Sequence, residues 1–358
     1  MRRTDFLTVD LTQGVSMLPI LTFARPRRFL AAIAMLCAAC MTAPMARAEG
    51  QIRIAGQHGI TFLLLNIAQE QKLIEKHGKQ QGVDVKVEWI TLSGGPAIND
   101  ALLSGNIDIA GAGLGPLLTI WDRTKGRQNV RGVASLGNFP YYLISNNPKV
   151  KTLADLTDKD RIALPAVSVS VQARILQMAV AKQWGDKEFA RLDKITQTLP
   201  HPDAAAAIIA GGTELSGHFG NSPFQEQELA QNPNAHIILN SYDVQGGPSS
   251  STLLYATEKY RKDNPKTYRA FIAALAEAAQ YASSNAQGAA DIYIKVNKSK
   301  VDRNLLLKIF ANPQVQFKIA PQNTYGLAQF LHRVSAIRNL PDSWRDYFFD
   351  DPAITQGG

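Results

Sequence analysis

From Gln51 onward, short β-rich runs alternate with stretches whose apolar residues return every three to four positions, the pattern of βαβ units on a largely parallel sheet. IRIA, residues 52–55, predicts a first strand. After a loop at 56–59, a helix is predicted over 61–76, burying Leu64, Ile67 and Ala68 and stopping at Gly78. VDVKVEWI sets Val83, Val85, Val87 and Trp89 at period two, which predicts a half-buried second strand. In SGGPAINDALLSGNIDIAGAG, Pro96 suits a first helical turn and Gly105 a helix end, with a third strand over 107–110. VRGVAS and YYLISN predict two further strands around 137–140.

The pattern then restarts. KTLADL, residues 151–156, predicts a short helix and residues 161–164 a strand. Ser168 or Ser170 caps a helix whose apolar positions Val171, Ile175, Met178 and Ala179 follow the 3.6-residue period. HPDAAAAIIAGG is a helix opened by Pro202 and closed by Gly211 and Gly212, and AHIILN, residues 235–240, reads as a buried strand. GGPSSS, residues 246–251, is the best internal linker; a strand, STLLYAT, follows it. Asn264 and Pro265 then open a long helix with Tyr268, Phe271, Ile272, Leu275 and Ala279 on one face. The tail is mostly helical and ends in Trp344, Tyr347, Phe348 and Phe349. The restart and the linker imply a discontinuous arrangement: lobe 1 from 49–145 and 246–358, the latter with the C-terminal helices, and lobe 2 from 146–245. Two crossings make a hinge, and hinged α/β lobes close on a ligand held beyond the carboxyl ends of their strands.

The N-terminus changes the compartment. Arg25, Arg27 and Arg28 precede FLAAIAMLCAACM, which closes on Ala46, Arg47 and Ala48. This is a secretory leader, residues 1–48, with cleavage near Ala48; its apolar run is shorter than the roughly 20 residues that a membrane span needs. Residues 1–16 carry Asp5 and Asp10 and suit no export signal, so both Met1 and Met17 stand as starts. Cys40 follows Ala38 and Ala39 as a lipidated cysteine would, but the third position upstream is Cys37 where leucine is usual. Both cysteines fall in the leader, so a chain cleaved after Ala48 has no thiol for disulfide, nucleophile or metal. Beyond residue 48 the balance is 32 basic against 28 acidic residues, an ordinary surface and not a nucleic-acid binder.

The order of three passages resembles a known family. SGGPAINDALLSGNIDIAGAGLGPLL, VKTLADLTDKDRIALP and HPDAAAAIIAGGTELSGHF resemble, in sequence and spacing, the binding proteins for nitrate, sulfonates and taurine. The resemblance implies a type II periplasmic binding fold, α/β, with two lobes of mixed, mainly parallel sheets. It also implies a monomeric solute-binding component that hands a small molecule, a sulfonate, nitrate or related oxyanion, to the inner-membrane permease of an ATP-driven importer, with no cofactor. Where the family often carries acidic or aromatic residues after the strand near Leu215, this chain has SGHFGNSPF, with His218 and Asn221 at that place.

Candidate ligand contacts are the turns after the strands. Ser93, Gly94 and Gly95 precede a helix, so backbone N–H groups and the positive helix end face any bound oxyanion. Ser168 and Ser170 are the matching pair in lobe 2. Gly113, Leu114 and Gly115 follow the third strand, Gln57 and His58 the first, and His218 and Asn221 a strand of lobe 2. His77, His201, His236 and His332 have no partners at ligand spacing, so a zinc site is not expected. Phe139, Tyr141 and Tyr142 read as hinge packing. Two alternatives remain: a neutral, pyrimidine-like heterocycle as ligand, since no lysine or arginine falls in these loops, or an enzyme or sensor on the same scaffold. The enzymes that the scaffold hosts, a desulfinase and a pyrimidine-forming protein, are known for cysteine chemistry, and no G-x-S-x-G, catalytic carboxylate pair or phosphate loop occurs here.

Overall fold

The structure, a computed structural model, describes residues 49–358; the leader with Cys37 and Cys40 lies outside the described residues. The first passage of chain forms β1 (Gln51–Gly56), α1 (Leu63–Glu70), α2 (Leu73–Gln80), β2 (Lys86–Thr91), α3 (Gly95–Leu103), β3 (Ile109–Gly113), α4 (Leu114–Thr124) and β4 (Arg131–Ser135). The second forms β5 (Tyr142–Ser145), β6 (Ile162–Leu164), α5 (Val171–Trp184), β7 (Thr196–Thr198), α6 (His201–Ala210), β8 (Gly217–Phe219), α7 (Phe224–Gln231), β9 (His236–Asn240) and α8 (Ser241–Gln245). The chain then returns through β10 (Thr252–Ala256), α9 (Glu258–Asp263), α10 (Pro265–Ser284), α11 (Ala286–Asn297), α12 (Arg303–Phe310) and α13 (Tyr325–Arg333).

Two five-stranded sheets result, ordered β2-β1-β3-β10-β4 and β7-β6-β8-β5-β9. In each, three strands run parallel, as βαβ units must, and the next two pairings are antiparallel. In the first sheet the antiparallel strand is β10, supplied by the returning chain. Arg53 fastens β1 to the start of β3, donating from its backbone N–H and guanidinium to the Asp108 carboxylate at 2.8 to 3.0 Å.

Several elements depart from the sequence expectation. The helix expected over 61–76 is split: Lys72 has φ 52°, and α1 and α2 meet there at an angle that keeps Leu64, Ile67, Leu73 and Ile74 all buried. The third strand begins two residues later and runs through Gly111 and Gly113, which read as loop because glycine is a poor strand former. A Cβ at Gly111 would lie 2.7 Å from the Ala55 carbonyl oxygen and 3.1 Å from Phe62, so close packing decides that strand. Residues 235–240 lie at a sheet edge and not in its middle, and Ile237 is 43% exposed. The KTLADL helix is a single 3-10 turn, Leu153–Asp155. Residues 249–251 of the GGPSSS linker are buried.

That burial has a physical basis in hydrogen bonding. The chain crosses between the sheets at 136–141 and 246–251, and the crossings are tied by Ser135 Oγ to Ser250 Oγ (2.9 Å), Ser250 Oγ to Asn138 Oδ1 (2.8 Å) and Asn138 Nδ2 to Gln316 Oε1 (3.0 Å). Buried hydroxyls and amides are tolerated here because they satisfy one another. A main core runs through both halves, and a smaller cluster of Ile144, Ala163, Ala204, Ile208 and Leu215 fills the space between the second sheet and α6.

Candidate functional site

The carboxyl ends of the parallel strands of both sheets point into one cleft. Gln57 follows β1, Gly113 ends β3, Pro165 follows β6, and Asn221 stands shortly after β8. The space between its walls, open mouth included, is about 340 Å³, and little of it is enclosed because the walls stand close together. Its floor is the hinge, where the Tyr141 hydroxyl and Thr252 Oγ1 share a hydrogen bond of 2.5 Å. Phe62, Pro116, Pro165 and Val171 supply apolar wall.

Four helices begin at this cleft. Gly95 opens α3, Gly113 caps α4, Ser170 caps α5 and His201 opens α6, and all four residues line it. Each helix is eight residues or longer, so each brings the positive end of its dipole, although several first-turn N–H groups are already taken: Leu114 by the Ser251 carbonyl, Ala173 by Ser170 Oγ and Asp203 by the Pro200 carbonyl. The lining includes no lysine, arginine, aspartate or glutamate. Burial, followed by His218 and His58, holds the His201 imidazole well below its usual range, so His201 is neutral near pH 7. Arg174, further along α5, lies behind Gly115 and donates to Gln177 at 3.0 Å. An uncharged cleft ringed by helix N-termini attracts a small anion without a fixed counter-ion.

The walls of the two halves touch. Ile60 N–H donates to the Ser222 carbonyl (2.9 Å), and Asn221 Nδ2 to the His58 carbonyl (3.3 Å). A Cβ at Gly94 would stand 2.8 Å from the Pro165 carbonyl oxygen, and one at Gly113 2.8 Å from the Val171 side chain. Both glycines have ordinary backbone angles, φ −170° and −70°, so they serve close approach and not an unusual turn.

Of the residues anticipated from sequence, Gln57, Gly95, Gly113, Ser170 and Asn221 come together in the cleft. Gly94 and Gly115 lie where the halves meet, Gly115 packing on Val169 and Arg174. Leu114 is core, its N–H donating to the Ser251 carbonyl at 2.9 Å. Ser93, His58 and Ser168 are exposed; Ser168 has φ 59° and Ser170 alone caps α5, accepting from Ala173 N–H. His218 sits one layer behind the wall, 2.8 Å from His201. His201 is thus a wall residue with a partner, contrary to the expectation of an isolated histidine. The helix-opening pattern His201-Pro202 carried the same signal as Ser170, whereas nothing local distinguished Gln172 or Thr252.

One buried chain of polar groups leads away from the cleft. Gln172 Nε2 is 3.2 Å from His201 Nε2, His201 Nδ1 is 2.8 Å from His218 Nε2, and His218 Nδ1 is 2.5 Å from Glu228 Oε1. Burial pushes the Glu228 carboxyl up to about 9 and the His218 imidazole down to about 3. Both directions favour uncharged forms, so the pair shares one proton, held by the carboxyl. Gln225, on the same helix as Glu228, ties α7 to the hinge through the Pro140 carbonyl and the Tyr142 N–H, both at 3.0 Å.

Two halves, each built on a mixed sheet, joined by a double crossing, with a cleft at their strand ends, define the periplasmic binding protein fold. The chain belongs to the NMT1-like family, whose sequence profile matches residues 62–296. Three solved structures share the fold. The alkanesulfonate-binding protein SsuA of Xanthomonas axonopodis pv. citri, bound to MOPS, is 19% identical, with a TM-score of 0.62 over 82% of this chain and 96% of that one. The periplasmic aliphatic sulphonate binding protein SsuA of Escherichia coli is 17% identical, with a TM-score of 0.60 over 85% and 100%. The periplasmic nitrate-binding protein NrtA of Synechocystis is 17% identical, with a TM-score of 0.62 over 86% and 84%. No curated protein matches the chain by sequence.

Proposed function

We propose that this chain is the periplasmic solute-binding component of an ABC importer, a monomer that captures a small oxyanion-bearing molecule, a sulfonate, nitrate or relative, between its two halves and presents it to an inner-membrane permease. The convergence of four helix N-termini on an uncharged cleft carries this reading. The named ligands of the structural relatives support it. Among the described residues no helix is long and apolar enough to cross a membrane, and no group of His, Cys, Asp and Glu is arranged to hold a metal. The site residues proposed are Gln57, Gly95, Gly113, Ser170 and Asn221, joined by Tyr141, Gln172, His201 and Thr252.

A thermal-shift panel of methanesulfonate, taurine, nitrate, bicarbonate, amino acids and nucleobases tests the ligand class. A hundredfold excess over Kd is expected to add about 2.7 kcal/mol of stability for an oxyanion. If every oxyanion failed and a nucleobase alone raised Tm, the oxyanion reading would be overturned. For the compartment, intact mass of the exported protein should start at Glu49; a cytoplasmic full-length product would count against export.

A further inference from the structure

The Glu228–His218–His201–Gln172 chain joins a fully buried carboxyl to a side chain that lines the cleft, and each of its links can run in either sense. Run one way, Gln172 Nε2–H donates to His201 Nε2, His201 Nδ1–H to His218 Nε2, and His218 Nδ1–H to an ionised Glu228. Run the other way, a protonated Glu228 donates to His218 Nδ1, His218 Nε2–H to His201 Nδ1, and His201 Nε2–H to Gln172 Oε1. The two arrangements differ by one proton. They also differ in what the cleft meets, because the Gln172 amide must turn over: its oxygen, which has no partner among the described residues in the first arrangement, gives way to its N–H group in the second.

We propose that Gln172 is a specificity-determining contact whose polarity is set by this buried chain, so that taking up one proton converts the cleft wall from hydrogen-bond acceptor to donor and favours an anionic ligand. This rests on the oxyanion reading only for the nature of the ligand. The proton enters at His201 Nε2, the ring nitrogen facing Gln172 at the cleft wall. His201 Nδ1–H passes to His218 Nε2, and His218 Nδ1–H passes to Glu228 Oε1; no other bond breaks, and the solvent proton is the only reactant. Delivery through the histidines is required because Glu228 is 0% exposed.

The surroundings favour the proton-rich form. Around Glu228, α7 itself contributes half-buried Glu226, β8 contributes His218, α6 contributes His201, and β5 contributes half-buried Tyr142, which faces Glu226. His58, from the loop after β1, acts on His201, while Asp203 of α6 is exposed. Among the described residues no lysine or arginine is hydrogen-bonded to Glu226, Glu228, His201 or His218, and Glu228 Oε2 has no partner, so an ionised Glu228 would lack a counter-charge. Asn221 Oδ1, buried in the same wall and unpartnered, gives the cleft one fixed acceptor beside the switched group.

Histidine-selective ¹⁵N NMR of the ligand-free protein between pH 6 and 10 reads the chain directly. His201 and His218 should exchange tautomers together in a single step, and E228Q should abolish that step. Tautomers fixed across this range in the wild type would overturn the proposal, whether or not any anion binds. Calorimetry with methanesulfonate, whose charge is constant here, supplies the second readout. Above the step, binding should take up approaching one proton and weaken up to about tenfold per pH unit; below it, neither effect is expected. E228Q should bind without proton uptake. Binding of equal strength at pH 6 and pH 10 overturns the proposal. Methanesulfonate and nitrate failing to bind at all, with the tautomer step present, supports the switch and overturns the oxyanion reading instead.

Discussion

Gly94→Ala should weaken ligand binding at least tenfold, about 1.4 kcal/mol, while leaving the fold intact. The added methyl carbon would stand 2.8 Å from the Pro165 carbonyl oxygen, closer than such atoms approach, and the obstruction is backbone. Alanine tolerates the extended φ of −170° at this position, so no local strain is introduced. Relief therefore comes from the halves moving apart, which lengthens every contact to a ligand gripped between them. Gly113→Val should act in the same sense against Val171. Gly326→Ala is the control: that glycine lies in α13 with open space where a Cβ would go, and alanine should leave binding unchanged and raise stability slightly. Calorimetric titration with the best ligand from the thermal-shift panel measures the first effect, and small-angle scattering of the ligand-bound form should record a larger radius of gyration for Gly94→Ala. Wild-type affinity in that variant would show that closure of the walls is unrelated to binding.

Stability should peak near pH 6.5 and fall on both sides, with the alkaline loss disappearing in Glu228→Gln. Burial pushes the folded Glu228 carboxyl up from its ordinary 4.5 to about 9, and the His218 imidazole down from 6.5 to about 3. Between pH 4.5 and 6.5 the pair holds one proton in both states, on the carboxyl when folded and on the imidazole when unfolded, so it contributes no slope. From 6.5 to about 9 the folded pair keeps a proton that the unfolded pair has lost, and stability falls as pH rises, by up to about tenfold in the folding constant per unit. On the acid side His201, kept neutral by burial, binds a proton only when unfolded, so stability falls below 6.5. Urea unfolding from pH 4 to 9.5 measures both limbs. An alkaline limb equally steep in Glu228→Gln would mean that another group titrates there.

Much of the site was legible because its signals are local. Ser170, Pro96 and Pro202 mark helix starts through their own backbone and side-chain chemistry, and a helix start is already an anion-attracting end. Gly94 and Gly113 were recognisable as turn residues beside a ligand cleft, but what requires glycine there is the opposite wall, which only the structure shows. His201 and His218 stand 17 residues apart on a helix and a strand, and Glu228 10 residues further on another helix. No spacing rule relates them; the packing of α6 and α7 against the second sheet brings them into line.

The alternation of strand and helix patterns, the restart near residue 151 and the polar run at 246–251 pointed to two α/β halves and two crossings, since periodicity and turn chemistry act within a few residues. Strand order, the kink at Lys72, the edge position of β9 and the entry of Gln172, His201 and Thr252 into the cleft depend on which surfaces meet. Burial and long-range pairing set those features, through desolvation of Glu228 and His218 and through the contact of Gly94 with Pro165, and such terms act between residues the chain keeps far apart.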